Sequence, residues 1–172
     1  FDINLINSYL RSMAYLNIDL VEIGFRTNNK EKYLGPLAYS SPDFIQSLKV
    51  PKKLKSRIGV MINASELVKL RSLTKTKNYL HTLFPNKDLI SFVRIACHES
   101  EILDAFEVCK WFEKKNIKVF INLMQISEIS APKLKEILTK SKNYKFEAFY
   151  VADSLGSLYT GEIAEIVKLI RK

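Results

Sequence analysis

Cysteine and histidine are scarce in this chain, with two of each among 172 residues. Cys97 and Cys109 are too few for a disulfide framework, and neither a CxxC pair nor a Cys/His cluster with zinc spacing is present. They read as reduced, mostly buried thiols, which suits a cytoplasmic protein. Glycine and proline are also sparse, at five each, which excludes collagen-like and low-complexity classes. No apolar run approaches the roughly 18 residues of a membrane span, so a soluble chain with no membrane partner is expected. The first residue is Phe1, and no basic segment or small-residue cleavage site follows it, so no signal peptide is visible. Apolar residues, at 47%, suffice for a real core.

Positive charge dominates, and it is unevenly spread. Lys and Arg total 27 against 18 Asp and Glu, a net charge of +9. Residues 51–100 hold ten basic side chains against three acidic ones, whereas residues 1–50 carry five of each. Nucleic-acid binding would call for those bases on one face beside aromatics or a reader motif, and neither pattern is visible. They read as a solvated surface, with an anionic substrate or partner nearby.

Apolar runs of strand length alternate with amphipathic stretches. Strands are predicted over 18–25, 57–63, 90–97, 117–126 and 146–152. Most are continuously apolar, as parallel strands covered on both faces are. Helices are predicted between them. Ile3, Ile6, Leu10, Met13 and Ala14 form one stripe, and Ser41-Pro42-Asp43 supplies a cap, a first-turn proline and an acid. Ser100-Glu101 opens a helix with the stripe Ile102, Phe106, Cys109 and Phe112. Ser130-Ala131-Pro132 opens the next, burying Leu134, Ile137 and Leu138. Thr160 is expected to cap the last helix, with Ile163, Ile166, Val167 and Ile170 inward. Such alternation is a run of right-handed βαβ units, fitting either a flavodoxin-like doubly wound sheet or part of a (β/α)8 barrel.

In both architectures chemistry belongs beyond the carboxyl ends of the strands, and every predicted strand ends in polar residues. Strand parity places Glu22, Gly24 and Arg26 on one side of the first, and Arg94, Ala96 and His98 on one side of the third. Asn63 ends the second. Asn122 and Gln125 belong to the fourth, on opposite parities. Asp153, Ser154, Gly156 and Ser157 follow the fifth, in a short turn able to bind phosphate or carboxylate through backbone N–H groups. Glu22 and Arg94 within apolar strands must pair, as a structural ion pair or as part of a site. His98 suits a general base, a substrate donor or a helix-start residue. His81 reads as surface. Tyr9, Tyr15, Phe106 and Trp111 read as core or helix surface.

The runs VEIGFR (21–26), FVRIACH (92–98), INLMQIS (121–127) and YVADSLGSLY (150–159), taken in order, resemble the aldolase branch of the HMG-CoA lyase-like metallolyases. The resemblance spans nearly the whole chain. It implies an α/β fold, with residues 1–172 forming a single incomplete (β/α)8 barrel domain that holds the second to sixth strands. It also implies carbon–carbon lyase chemistry on a small 2-oxo acid or aldehyde through a metal-stabilised enolate, in a cytoplasmic enzyme and possible homodimer. By residue matching, Glu22 and His98 would be catalytic. Arg26, Arg94, Asn122, Gln125, Asp153, Ser154 and Gly156 would bind substrate. The divalent ion, Mn or Mg, is expected in the parent protein, with ligands outside this segment: no acidic-basic motif precedes Ile3 and no His-x-His occurs. The segment alone is therefore expected to be inactive. Two other readings stay open, a non-catalytic barrel-derived binding or assembly module and a flavodoxin-like anion or nucleotide binder.

Overall fold

The structure is a computed structural model that describes residues 2–29, 33–85 and 89–171. Five strands form one parallel sheet: β1 (Val21–Phe25), β2 (Ile58–Asn63), β3 (Phe92–Cys97), β4 (Lys118–Leu123) and β5 (Ala148–Val151). Their spatial order is β1-β2-β3-β4-β5, the order of the chain. A doubly wound sheet reverses its strand order at a switch point. This sheet has none, which removes the geometry that the flavodoxin-like reading required.

Among the described residues, eight α-helices lie before, between and after the strands: α1 (Ile3–Tyr15), α2 (Pro36–Tyr39), α3 (Pro42–Ser47), α4 (Ala64–Val68), α5 (Leu73–Leu83), α6 (Ile102–Glu113), α7 (Ala131–Ser141) and α8 (Thr160–Ile170). Their boundaries follow local chemistry. Asp2 caps α1 by accepting from the Asn4 N–H at 3.1 Å. Ser41 caps α3 from Phe44 at 3.2 Å, with Pro42 in the first turn. A 3-10 turn over Glu99–Glu101 leads into α6, whose predicted stripe Ile102, Phe106, Cys109 and Phe112 is fully buried. The strands are shorter than their apolar runs, and β4 stops at Leu123. Gln125 then takes a left-handed conformation (φ 54°), and residues 126–128 form a 3-10 turn.

One apolar core lies between the sheet and α4–α7. Ile58, Val60, Ile62, Val93, Ile95, Cys97, Val119, Ile121 and Leu123 meet Leu67, Leu80, Phe106, Phe112, Leu134 and Ile137 there. Burying each large aliphatic or aromatic side chain contributes about 1.5–3 kcal/mol. Phe106 anchors the β4–β5 side, with its ring 5.2 Å from Tyr144 and 6.1 Å from Phe146. A second cluster joins Ile6 and Leu10 of α1 to Val21, Leu48 and Leu54.

Helix α8 departs from expectation. Ile166 and Leu169 pack against the core, but Ile163 and Val167 are 47% and 38% exposed. The helix follows β5, at the edge of the sheet, and among the described residues its outer side is left uncovered. Its N-cap is Tyr159 rather than Thr160, and the Tyr159 N–H donates to the Glu162 carboxylate at 2.8 Å.

Candidate functional site

The two faces of the sheet differ in kind. Side chains alternate across a strand. Because one parity feeds the helix-covered core, the other is left for Glu22, Gly59, Phe92, Arg94, Phe120, Asn122 and Tyr150. These residues, apart from Gly59, line an open cavity of about 450 Å³ together with Leu20 and Val151. The register stacks them in rows, with Met61, Arg94 and Phe120 abreast and then Asn63, Ala96, Asn122 and Tyr150.

Arg94 is held by Glu22. Its Nε donates to Glu22 Oε2 and its Nη2 to Oε1, each at 2.7 Å, and both side chains keep a quarter to a third of their surface exposed. That bidentate bond raises the guanidinium's affinity for its proton, against the opposing effect of burial. The pair spans β2, which lies between β1 and β3, and Gly59 sits opposite Glu22 there. A Cβ at Gly59 would stand 2.5 Å from the Phe92 ring, so only glycine lets that ring lie across β2.

Aromatic rings make the floor of the cavity. Phe92 and Phe120 meet edge to face at 5.5 Å, and Phe120 stacks on Tyr150 at 6.0 Å. Asn122 stands among them, 9% exposed, whereas the buried side-chain polar atom without a hydrogen-bond partner among the described residues is Ser127 Oγ.

Arg26 does not join this face. Regular pairing would set Gly24 opposite Met61, but Phe25 sits there instead. The extra residue in β1 is a bulge, which reverses parity beyond it. Arg26 therefore turns into the protein at 1% exposure. Its Nε donates to the Ser40 carbonyl at 2.9 Å, its Nη1 to the Leu83 carbonyl at 3.3 Å, and its guanidinium lies 5.0 Å from the Phe84 ring centre. The expectation that Arg26 shares a side with Glu22 is corrected: it is a buried strut between the β1 loop and the end of α5.

The remaining expected site residues lie at the carboxyl edge, where His98 and Gln125, but not Asp153, Ser154 or Gly156, line a second cavity of about 480 Å³. His98 and Gln125 line it with Glu99, Ser100, Met124, Glu128 and Ile129. The His98 N–H donates to Glu101 Oε2 at 2.9 Å, so its backbone starts the next helical segment at the cavity's edge. The Gln125 N–H donates to Ser154 Oγ at 3.3 Å, tying the β4 and β5 ends together. Asp153 folds back on its own turn, accepting from the Ser157 and Leu158 N–H groups at 3.2 and 3.0 Å. The Leu158 bond, with those from Ser157 and Gly156, lowers its carboxyl below the ordinary range. Gly156 supplies the positive φ, 64°, that this turn needs.

A polar cluster unforeseen in the sequence lies beside the β1 end. Glu66 of α4 accepts from Thr27 Oγ1 at 2.7 Å and from the Tyr79 hydroxyl of α5. Burial and the Glu66 carboxylate push the Tyr79 phenol up to about 12. Residues 27, 66 and 79 are too far apart in sequence for any spacing rule to link them. Among the described residues, no three His, Cys, Asp or Glu side chains group to hold a metal ion, and no helix is long and apolar enough to cross a membrane.

This arrangement has a structural precedent. The chain superposes on the "N-terminal domain of a putative aldolase from Bacteroides vulgatus" with a TM-score of 0.70 and 20% identity, over 99% of its own length. It spans only 54% of that chain. The fold is shared. No family model and no curated protein matches the sequence.

Proposed function

We propose that this chain is the central part of a (β/α)8-barrel carbon–carbon lyase of the aldolase type, acting on a 2-oxo acid. The observation that carries the proposal is the superposition of nearly the whole chain on a domain described as that of an aldolase. The sequential parallel sheet with no reversal supports the barrel, and the polar residues at its carboxyl edge support a site there.

Each side chain has a task in that chemistry. The Glu22–Arg94 pair fixes a guanidinium whose remaining N–H groups orient a carbonyl oxygen of the ligand. Asn122 offers an amide to the same ligand. His98 is placed to take or return a proton at the carboxyl edge, with Gln125 and Ser154 shaping that rim. Asp153 and Gly156 hold the β5 turn. A divalent ion would supply Lewis-acid stabilisation of an enolate in such an enzyme. The described residues do not fit one, so its ligands would have to come from elsewhere.

Cleavage of a 4-hydroxy-2-oxo acid in the presence of manganese is the test, with product 2-oxo acid measured for this chain and for a longer protein containing it. Turnover confined to the longer protein is expected. Absence of cleavage there, or equal turnover by the isolated chain, would refute the proposal. A second reading, a barrel-derived binding module without chemistry, gains weight from Asp153 and Arg94, both engaged by partners within the chain.

A further inference from the structure

The amino edge of the sheet, opposite the edge that carries His98 and Gln125, gathers the chain's surplus charge. Parallel strands in sequential order bring every strand-entry segment to that edge. Segments 48–57, 114–118 and 142–147 hold ten basic side chains there, with Glu147 their one acid, and segment 16–20 adds Asp19. The rest of the chain carries 17 basic residues against 16 acidic ones, so nearly all of the net charge of +9 belongs to this edge. Lysines after α6 and α7 suit the negative ends of those helices. Lys52, Lys53 and Lys55 follow no α-helix. They surround Leu54, which is fully buried, in a 3-10 turn that holds all three lysines at the surface. The ion pairs on this edge are Lys118–Glu147 at 3.9 Å and Lys145–Glu113 at 3.3 Å, and among the described residues no carboxylate pairs with Lys52, Lys53 or Lys55.

The kind of anion follows from what accompanies the charge. Nine of the ten bases are lysines, point charges without the fork by which arginine reads bases. Arg57 is occupied, its Nη1 donating to Asn17 Oδ1 at 3.2 Å and to the Ile18 carbonyl at 3.1 Å. Those bonds tie the basic segment to the end of α1, where Tyr15 and Leu16 are 88% and 60% exposed. Leu89, at the entry to β3, is exposed on the same edge. One exposed tyrosine offers no row for stacked bases. Lysines beside a projecting tyrosine and leucine suit a lipid interface, where the bases meet anionic headgroups and the apolar side chains enter the headgroup boundary.

We infer that this edge binds the surface of an anionic phospholipid membrane. Lys52, Lys53 and Lys55 lie against the headgroups, and Tyr15 and Leu16 enter the interface. Such a contact needs no spanning helix, and it leaves the carboxyl edge, where the lyase chemistry is proposed, facing away from the bilayer.

The test is sedimentation of the full chain with phosphatidylcholine vesicles containing about 30% phosphatidylserine, and with pure phosphatidylcholine vesicles. Binding to the anionic vesicles is expected to be at least about thirty-fold tighter, and to weaken at least about ten-fold between roughly 0.1 and 0.5 M NaCl as the charges are screened. Lys52→Glu/Lys53→Glu/Lys55→Glu, at exposed positions, should lose at least about thirty-fold. Lys114→Glu/Lys142→Glu, with an expected loss of about ten-fold, serves should the triple variant fail to give a folded circular dichroism spectrum. Tyr15→Ser/Leu16→Ser should weaken vesicle binding about five- to ten-fold and leave binding to a short DNA duplex unchanged. Equal binding to both vesicles, binding to neither, or charge-reversed variants that bind like the parent would overturn the inference. A DNA duplex bound more tightly than the anionic vesicles, with full vesicle affinity retained by Tyr15→Ser/Leu16→Ser, would overturn it in favour of nucleic acid.

Discussion

Replacing Arg26 distinguishes a strut from a substrate ligand. Arg26→Met keeps most of the apolar stem and removes the guanidinium. Two buried carbonyls, those of Ser40 and Leu83, then lose their donor. Stranding each costs about 1–3 kcal/mol, and the cation over Phe84 adds about 0.5–2 kcal/mol. Relief of the guanidinium's own desolvation offsets part of that loss. The expected net destabilisation is about 3 kcal/mol, a large share of a domain stability of roughly 5–15 kcal/mol. Urea unfolding followed by circular dichroism should show the midpoint falling by about 1–3 M, given a slope of about 1–3 kcal/mol/M. The Glu22–Arg94 ion pair should persist in the folded fraction, because Arg26 lies beyond the bulge on the other face of the sheet. A midpoint unchanged by the substitution would refute the parity reversal and return Arg26 to the open face.

Three further outcomes follow from local geometry. Gly59→Ala should cost about 1–3 kcal/mol by forcing the Phe92 ring aside, and Phe92→Leu in the same chain should recover part of that loss; simple additivity of the two would contradict the contact. The Asp153 carboxyl is held below its ordinary value, so its contribution to the 153–158 turn is present above the normal carboxylate range. That contribution is lost as pH falls through the depressed folded value. Hydrogen exchange at Ser157 and Leu158 should therefore be slow near neutrality relative to Asp153→Asn and should converge with the variant in acid, whereas identical exchange at pH 7 would contradict the cap. Cys97 and Cys109 are buried and their thiols are pushed up to about 12 by desolvation, so both should resist a thiol reagent at pH 8 until the chain unfolds. Modification of either in the native protein would show that the core opens at β3 or α6.

The predicted helices and strands needed only near-neighbour information. The Ile102–Phe112 stripe, the Ser41-Pro42 start and the continuous apolar strands depend on residues within a turn or two. Periodicity reports those directly. Glu22 and Arg94 were legible as a required pair because an unpaired charge in an apolar strand is too costly. The packing of α8 was not legible. Its apolar stripe is as regular as that of α1, and only its position at the edge of the sheet leaves Ile163 and Val167 uncovered.

The amino-acid sequence by itself determined that this is a βα-alternating chain with polar groups at every strand end. Those properties are set by residue type and period. Tertiary structure alone decided which polar groups meet. A one-residue bulge in β1 sends Arg26 into the core and leaves Glu22 facing Arg94 across Gly59. The same fold separates His98 and Gln125 from Asn122, in two different cavities. It also joins Thr27, Glu66 and Tyr79, which lie in three separate segments. Register and bulges depend on pairing between strands distant in sequence, and that pairing leaves no local periodic trace.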